Sequence, residues 1–202
     1  MAHQASGPLF GESINIYMDD SNIAIGGRKV YDIYQKSHPE APRRRFWYYD
    51  FEKLGEIITK ELAKQYGWSE DDPTVHKQYN FYGVNLNRNP QLRRLPRRHD
   101  VKLYHCMKNG LQKEKGADCK LTADFTDRVK STNPFLEAAY FIVLSGDADM
   151  VPAIEKAMKY GFVVHVWSWD ESLSGQLKRL EKDRRGLVKV HKLDERIVDF
   201  TL

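Results

Sequence analysis

The stretch that decides the fold is YFIVLSGDADMVPAIEKAMKYGFVVHVW, residues 140–167. It opens with a short apolar run, 140–144, of the kind buried on both faces of a parallel sheet. Pro152 suits a first helical turn, Ile154 and Met158 supply a buried stripe, and Gly161 ends the helix. Residues 162–167 return to an extended apolar pattern. Between the first strand and the helix stands SGDAD, which places Asp147 and Asp149 just behind a strand's carboxyl end.

The rest of the chain repeats this alternation. Residues 13–18 read as the first strand, followed by a loop around Gly26, Gly27, Arg28 and Lys29 and a helix near 30–35. Phe51, Leu54, Ile57, Ile58, Leu62 and Tyr66 fall at helical spacing, with Asp50 as N-cap and Gly67 as stop. Residues 78–84 and 101–106 read as strands two and three. A short basic helix over 90–98, interrupted by Pro96, lies between them. Helices over 117–130 and 172–182 and a short extended segment at 188–190 complete the pattern.

Strands alternating with helices predict an α/β fold, a mostly parallel sheet of about five strands with helices on both faces. In the common order 3-2-1-4-5 the first and fourth strands are neighbours, and ligands bind at the switch point beside their carboxyl ends. The chain reads as one domain over 1–202, its core at about 13–170 and a C-terminal helix and tail at 171–202.

Composition narrows the function classes. No apolar run approaches the roughly 18 residues of a membrane span, so no membrane association is expected. The N-terminus lacks the pattern of a secretory signal. Cys106 and Cys119 give neither zinc spacing nor a disulfide framework, which makes an intracellular, cytoplasmic setting the default. The net charge is only +4, so distribution matters more than the total. Residues 86–115 hold nine Lys or Arg against two acids, among them Arg93, Arg94, Arg97, Arg98, Lys113 and Lys115. A second cluster, Arg43, Arg44 and Arg45, runs directly into Phe46, Trp47, Tyr48 and Tyr49. Basic groups beside an acidic centre suit a polyanionic substrate whose phosphate meets a metal.

The acidic centre is assembled from three motifs. Tyr17–Asn22, YMDDSN, puts Asp19 at the end of the first strand, with Asn22 placed to orient it or a water. Asp20 alternates away from Asp19. The same letters occur in the palm hairpin of reverse transcriptases, but here a helix follows rather than an antiparallel strand. KGADCKLTAD, residues 115–124, carries Asp118 and Asp124. Six residues of helix turn by about 240°, so these two acids share no face if both are helical. Either the helix begins after Asp118 or one acid acts at longer range. LSGDAD, residues 144–149, adds Asp147 and Asp149, the latter equally suited to capping. Carboxylates brought together this way call for a divalent cation.

The order D-x-x-N after a first strand, KGAD…D, and SGDxD followed by PxxE and a Gly before a V-x-V strand resembles NYN domains, members of the PIN-like nuclease superfamily. The likeness spans roughly residues 13–166. It implies a PIN-like, Rossmannoid three-layer sandwich and a metal-dependent ribonuclease. By position, Asp19, Asp124 and Asp147 would bind metal, with Asp118 a fourth ligand and Asn22 and Asp149 supporting. Departures from the family pattern are the longer segment 28–45 and Asp20.

The resulting expectation is hydrolysis of RNA phosphodiesters, endonucleolytic and on single strands, with Mg²⁺ or Mn²⁺ suited to the all-oxygen ligand set. Arg43–Arg45, Arg93, Arg94, Arg97, Arg98, Lys113 and Lys115 would hold the backbone and Trp47 would stack a base. Protein partners or a homodimer remain open. Two alternatives stand beside this reading. One is an NYN adaptor that binds RNA and cleaves weakly. The other is an aspartyl phosphatase, disfavoured because Asp19-Asp20-Ser21 lacks the Asp-x-Asp spacing that class needs.

Overall fold

A computed structural model describes residues 12–69, 74–95, 100–108, 114–184 and 186–202, without the side chains of 108, 114 and 115. Strand β1, Ser13–Asp19, is buried along almost its whole length because it lies in the middle of the sheet. Its Ile14, Ile16 and Met18 enter one apolar layer and Tyr17 the other. On one side β1 pairs in parallel with β2 (His76–Gly83), and β2 with β3 (Val101–His105). On the other side it pairs with β6 (Ala139–Leu144), then β7 (Val164–Ser168) and β8 (Val188–Lys192), all parallel. The order β3-β2-β1-β6-β7-β8 is the expected 3-2-1-4-5 arrangement with a sixth strand at the edge. The extra strand is the VKVHK segment, of which 188–190 is the predicted extended stretch; only Val188 is buried, so its pattern does not mark it as a member of the sheet. Two-residue strands β4 (Met107–Lys108) and β5 (Glu114–Lys115) form a separate antiparallel pair.

One face carries α1 (Asp20–Ser37), α2 (Phe51–Tyr66) and the short α3 (Pro90–Arg94). The other carries α4 (Ala117–Ser131), α5 (Val151–Lys159) and α6 (Gly175–Asp183). In α4 the stripe Leu121, Phe125, Val129 is at most 1% exposed. Each such side chain contributes about 1.5–3 kcal/mol by leaving water. Asp50 caps α2 through the amides of Glu52 and Lys53, and Gly67, at φ 77°, stops it as the sequence predicts. Among the described residues no helix is long and apolar enough to cross a membrane.

The predicted loop at Gly26–Lys29 is instead the middle of α1. Both glycines serve close approach: a Cβ on Gly26 would stand 2.1 Å from Cδ1 of Trp169, and one on Gly27 2.1 Å from Cζ3 of Trp47. Trp47 is pinned among Tyr49, Trp169 and Phe200, so it cannot swing aside. Gly27→Ala should therefore destabilise by about 2 kcal/mol through overpacking. Alanine's helix propensity, worth about 1 kcal/mol, only softens that loss. An unchanged urea midpoint would contradict this packing.

A second consequence concerns pH. His165 on β7 is fully buried, its Nε2 3.1 Å from Tyr66 Oη and its Nδ1 3.0 Å from His191 Nε2. Burial, reinforced by His191 and Lys189, pushes His165 down to about 3. Burial also lowers His191. Since the folded pKa is depressed, the neutral ring's contribution is complete above about 6.5, the unfolded value, and is lost as pH falls from there toward 3. Between pH 7 and 5 the protein should lose about 2 kcal/mol from His165 alone. Urea melts at the two pH values check this, and His165→Gln should show the smaller difference.

Candidate metal centre

The carboxyl edge of the sheet is built where β1 and β6 lie side by side, with Met18 in register with Leu144. The chain runs outward to β2 and β3 on one side of this seam and to β7 and β8 on the other. This is the switch point at which doubly wound sheets form a crevice.

Past β6, the turn carrying Asp147 is clamped. A Cβ on Gly146 would lie 2.3 Å from the Ser172 carbonyl oxygen and 2.5 Å from Ser168 Oγ. The Gly146 carbonyl accepts from the Ser174 amide at 2.9 Å. Only glycine lets the turn press so closely on the 168–174 segment. The Asp147 amide donates to Ser145 Oγ at 3.2 Å, and Asp147 Oδ1 caps the following turn by accepting from the Asp149 amide at 3.0 Å. Asp118 reaches the same place from the first turn of α4, whose N-cap Gly116 has φ 86°.

Asp118, Asp147 and Asp149 each offer a carboxylate oxygen, and these lie within 4.8 Å of one another. Three carboxylates this close repel unless a cation lies among them. Hard divalent ions take oxygen ligands at about 2.0–2.6 Å, so small side-chain adjustments would close the set around one ion. The donors thus fit such an ion. Beside the trio opens a groove of about 800 Å³, lined among others by Asp118, Thr122, Asp149 and Gln176.

Asp124 stands apart from this trio. Helix α4 begins at Ala117, so both acids are helical and the roughly 240° between them turns Asp124 away from Asp118. Its carboxylate accepts from Tyr82 Oη at 3.0 Å and from Lys120 Nζ at 2.7 Å. Lys120 lies over the Tyr104 ring, which stacks on Tyr82 with centroids 4.7 Å apart. Burial, then the Asp124 charge, pushes both phenols up, while the hydrogen bond to Asp124 raises Lys120. The i,i+4 spacing of Lys120 and Asp124 is visible in sequence, but the tyrosines reach them only through the sheet.

Asp19 is 8% exposed and caps α1 by accepting from the Asn22 amide at 3.0 Å. It is in register with Tyr82, so it shares the face on which Asp124 is held. Asp19 and Asn22 also line a cleft of about 310 Å³ with Ile25, Lys29 and Trp169. The Asn22 Oδ1 is buried there without a hydrogen-bond partner among the described residues. Asp20 points to the opposite face, as alternation requires, and accepts from Tyr49 Oη at 2.6 Å.

The basic residues divide. Arg43 and Arg45 are exposed, the Arg44 carbonyl accepts from Arg28, and Arg93 and Arg94 are exposed in the last turn of α3. Arg97, Arg98 and Lys113 lie outside the described residues, as does the side chain of Lys115. Trp47 is 4% exposed with its Nε1 donating to Thr201, so its ring has no face open to a base.

A family model described as NYN domain matches residues 13–183. Searches of characterised proteins and of solved structures each find no match. NYN domains have a PIN-like nuclease-family fold, are generally nuclease-like hydrolases, and generally bind RNA. The six-stranded parallel sheet, the acids at its switch point and the match across most of the chain place it plainly: the protein belongs to the NYN domain family.

Proposed function

We propose that this chain is a metal-dependent ribonuclease that cuts single-stranded RNA endonucleolytically, with Mg²⁺ or Mn²⁺ held by Asp118, Asp147 and Asp149. The observation that carries the reading is the convergence of these three carboxylates beside an open groove at the switch point of an NYN fold. A bound divalent ion would supply charge stabilisation at the scissile phosphate and lower the pKa of a bound water. The chain's own residues supply placement. The Asp149 amide fixes one Asp147 oxygen, and a carboxylate has about four acceptor positions, so the rest of the group can serve an ion. Asp19 and Asn22 hold the neighbouring cleft polar where the strand would pass. Exposed Arg43, Arg45, Arg93 and Arg94 offer phosphate contacts.

Labelled single-stranded and hairpin RNAs, incubated with Mg²⁺, with Mn²⁺ and with EDTA, test the reading. Internal cuts in single strands that vanish with EDTA are expected. Absence of cleavage with either metal would sink it.

One observation favours a second reading, an RNA-holding adaptor that cleaves weakly. Asp124, a metal ligand by family position, is already engaged by Lys120 and Tyr82. RNA binding without metal-dependent turnover would select that alternative.

A further inference from the structure

The segment 43–49 is irregular, with a bend at 45–46, and its aromatic residues alternate between two environments. Trp47 and Tyr49 are 4% and 1% exposed, whereas Phe46 is 60% exposed and Tyr48 half-buried. The inward pair is firmly anchored. Trp47 Nε1 donates to Thr201 Oγ1, Tyr49 forms an antiparallel bridge with Thr201, and the Leu202 amide donates to the Tyr48 carbonyl. Upstream, Arg28 donates to the Arg44 carbonyl and Tyr31 to that of Pro42, tying the segment to α1. The outward pair is thereby displayed on a stiff support. The rings of Phe46 and Tyr48 lie 6.4 Å apart at 36°, with the exposed Arg45 guanidinium 5.3 Å above Phe46. Arg43 is exposed beside them, while Arg28 is paired with Asp32.

Exposed aromatic rings flanked by arginines without an ion-pair partner among the described residues are what single-stranded nucleic acid requires: bases stack and phosphates find the arginines. Duplex RNA hides its base faces and offers such a surface little. The support also reaches the carboxyl edge of the sheet, on the α1 face, since Tyr49 Oη bonds Asp20.

We propose that Phe46 and Tyr48, with Arg43 and Arg45, form a stacking platform for unpaired nucleotides of the RNA strand, outside the metal centre. The proposal rests on the ribonuclease reading for its substrate, and its test is made in EDTA so that binding is measured apart from cleavage. A fluorescent oligouridine or oligoadenine of about 12 nucleotides is titrated and followed by anisotropy. Phe46→Ala should weaken binding on the order of tenfold, and Phe46→Trp should restore it. Arg43→Ala with Arg45→Ala should flatten the slope of log K against log salt by about 1.4. Duplex RNA should bind more weakly and be insensitive to Phe46→Ala. Phe46 is exposed, so a matching circular dichroism spectrum certifies the fold of the variant. Wild-type affinity in Phe46→Ala overturns the platform, whatever the cleavage assay shows, and points to another partner for this surface. Lost binding in Phe46→Ala supports it even where the wild type cuts no RNA.

Discussion

Asp147→Asn should lose metal-dependent RNA cleavage by on the order of a thousandfold while keeping its fold. An ion's contribution at a phosphate is worth several kcal/mol, and about 4 kcal/mol corresponds to that factor. The substitution preserves shape, and an amide oxygen can still accept from the Asp149 amide, so the capped turn survives. What disappears is one charge from a trio whose oxygens lie within 4.8 Å. Mn²⁺ titration by calorimetry supplies a readout independent of turnover and should show weakened binding. Asp118→Asn should follow the same course. Asp124→Asn makes the sharper comparison, because Asp124 is held by Lys120 and Tyr82 away from the trio. If Asp124→Asn abolished Mn²⁺ binding while Asp118→Asn and Asp147→Asn did not, the assignment of the ligands would be wrong.

Gly146→Ala should be nearly as damaging without touching a carboxylate. The added Cβ would meet the Ser172 carbonyl oxygen at 2.3 Å and its carbon at 2.6 Å, backbone atoms that cannot rotate away. Overpacking of this kind costs about 1–3 kcal/mol, more than the 0.4–1 kcal/mol that alanine gains by restricting the unfolded chain. Relief comes only by moving the turn, and Asp147 moves with it. A misplacement of about 1 Å at a reacting centre can cost a hundredfold in rate. Gly146→Ala should thus lose about 2 kcal/mol of stability and about a hundredfold in cleavage. Gly175→Ala is the control: its Cβ would meet only Arg179 Nη1 at 3.9 Å, so stability should hold or rise slightly. Gly146→Ala at wild-type stability and activity would show that the clamp does not position the aspartate.

Much of the fold is legible because it rests on local chemistry. The apolar run 140–144, Pro152, Asp50 and Gly67 each act through neighbours a few residues away, and the structure uses them as read, the strand starting one residue earlier. Gly26 and Gly27 mislead for the opposite reason. Their role is to admit Trp169 and Trp47, residues remote in the chain, so in sequence they look like a loop. The extended segment at 188–190 is not counted as a sixth strand of the sheet, since an edge strand needs little hydrophobicity to pair. The aromatic open to solvent is similarly displaced by one position from the one expected: FWYY shows four aromatics, but only packing against α1 and the 200–201 segment turns Trp47 inward and Phe46 outward.

The amino-acid sequence by itself determined that acids follow the strands of a parallel sheet, because a strand–helix alternation admits few topologies and each places strand ends on one edge. Which of those acids meet was decided by the tertiary structure. Helical phase separates Asp118 from Asp124, tyrosines on neighbouring strands and Lys120 claim the latter, and a glycine clamp turns Asp147 and Asp149 toward the former. Side-chain convergence depends on distances between residues far apart in the chain, and those distances exist only once the layers have packed.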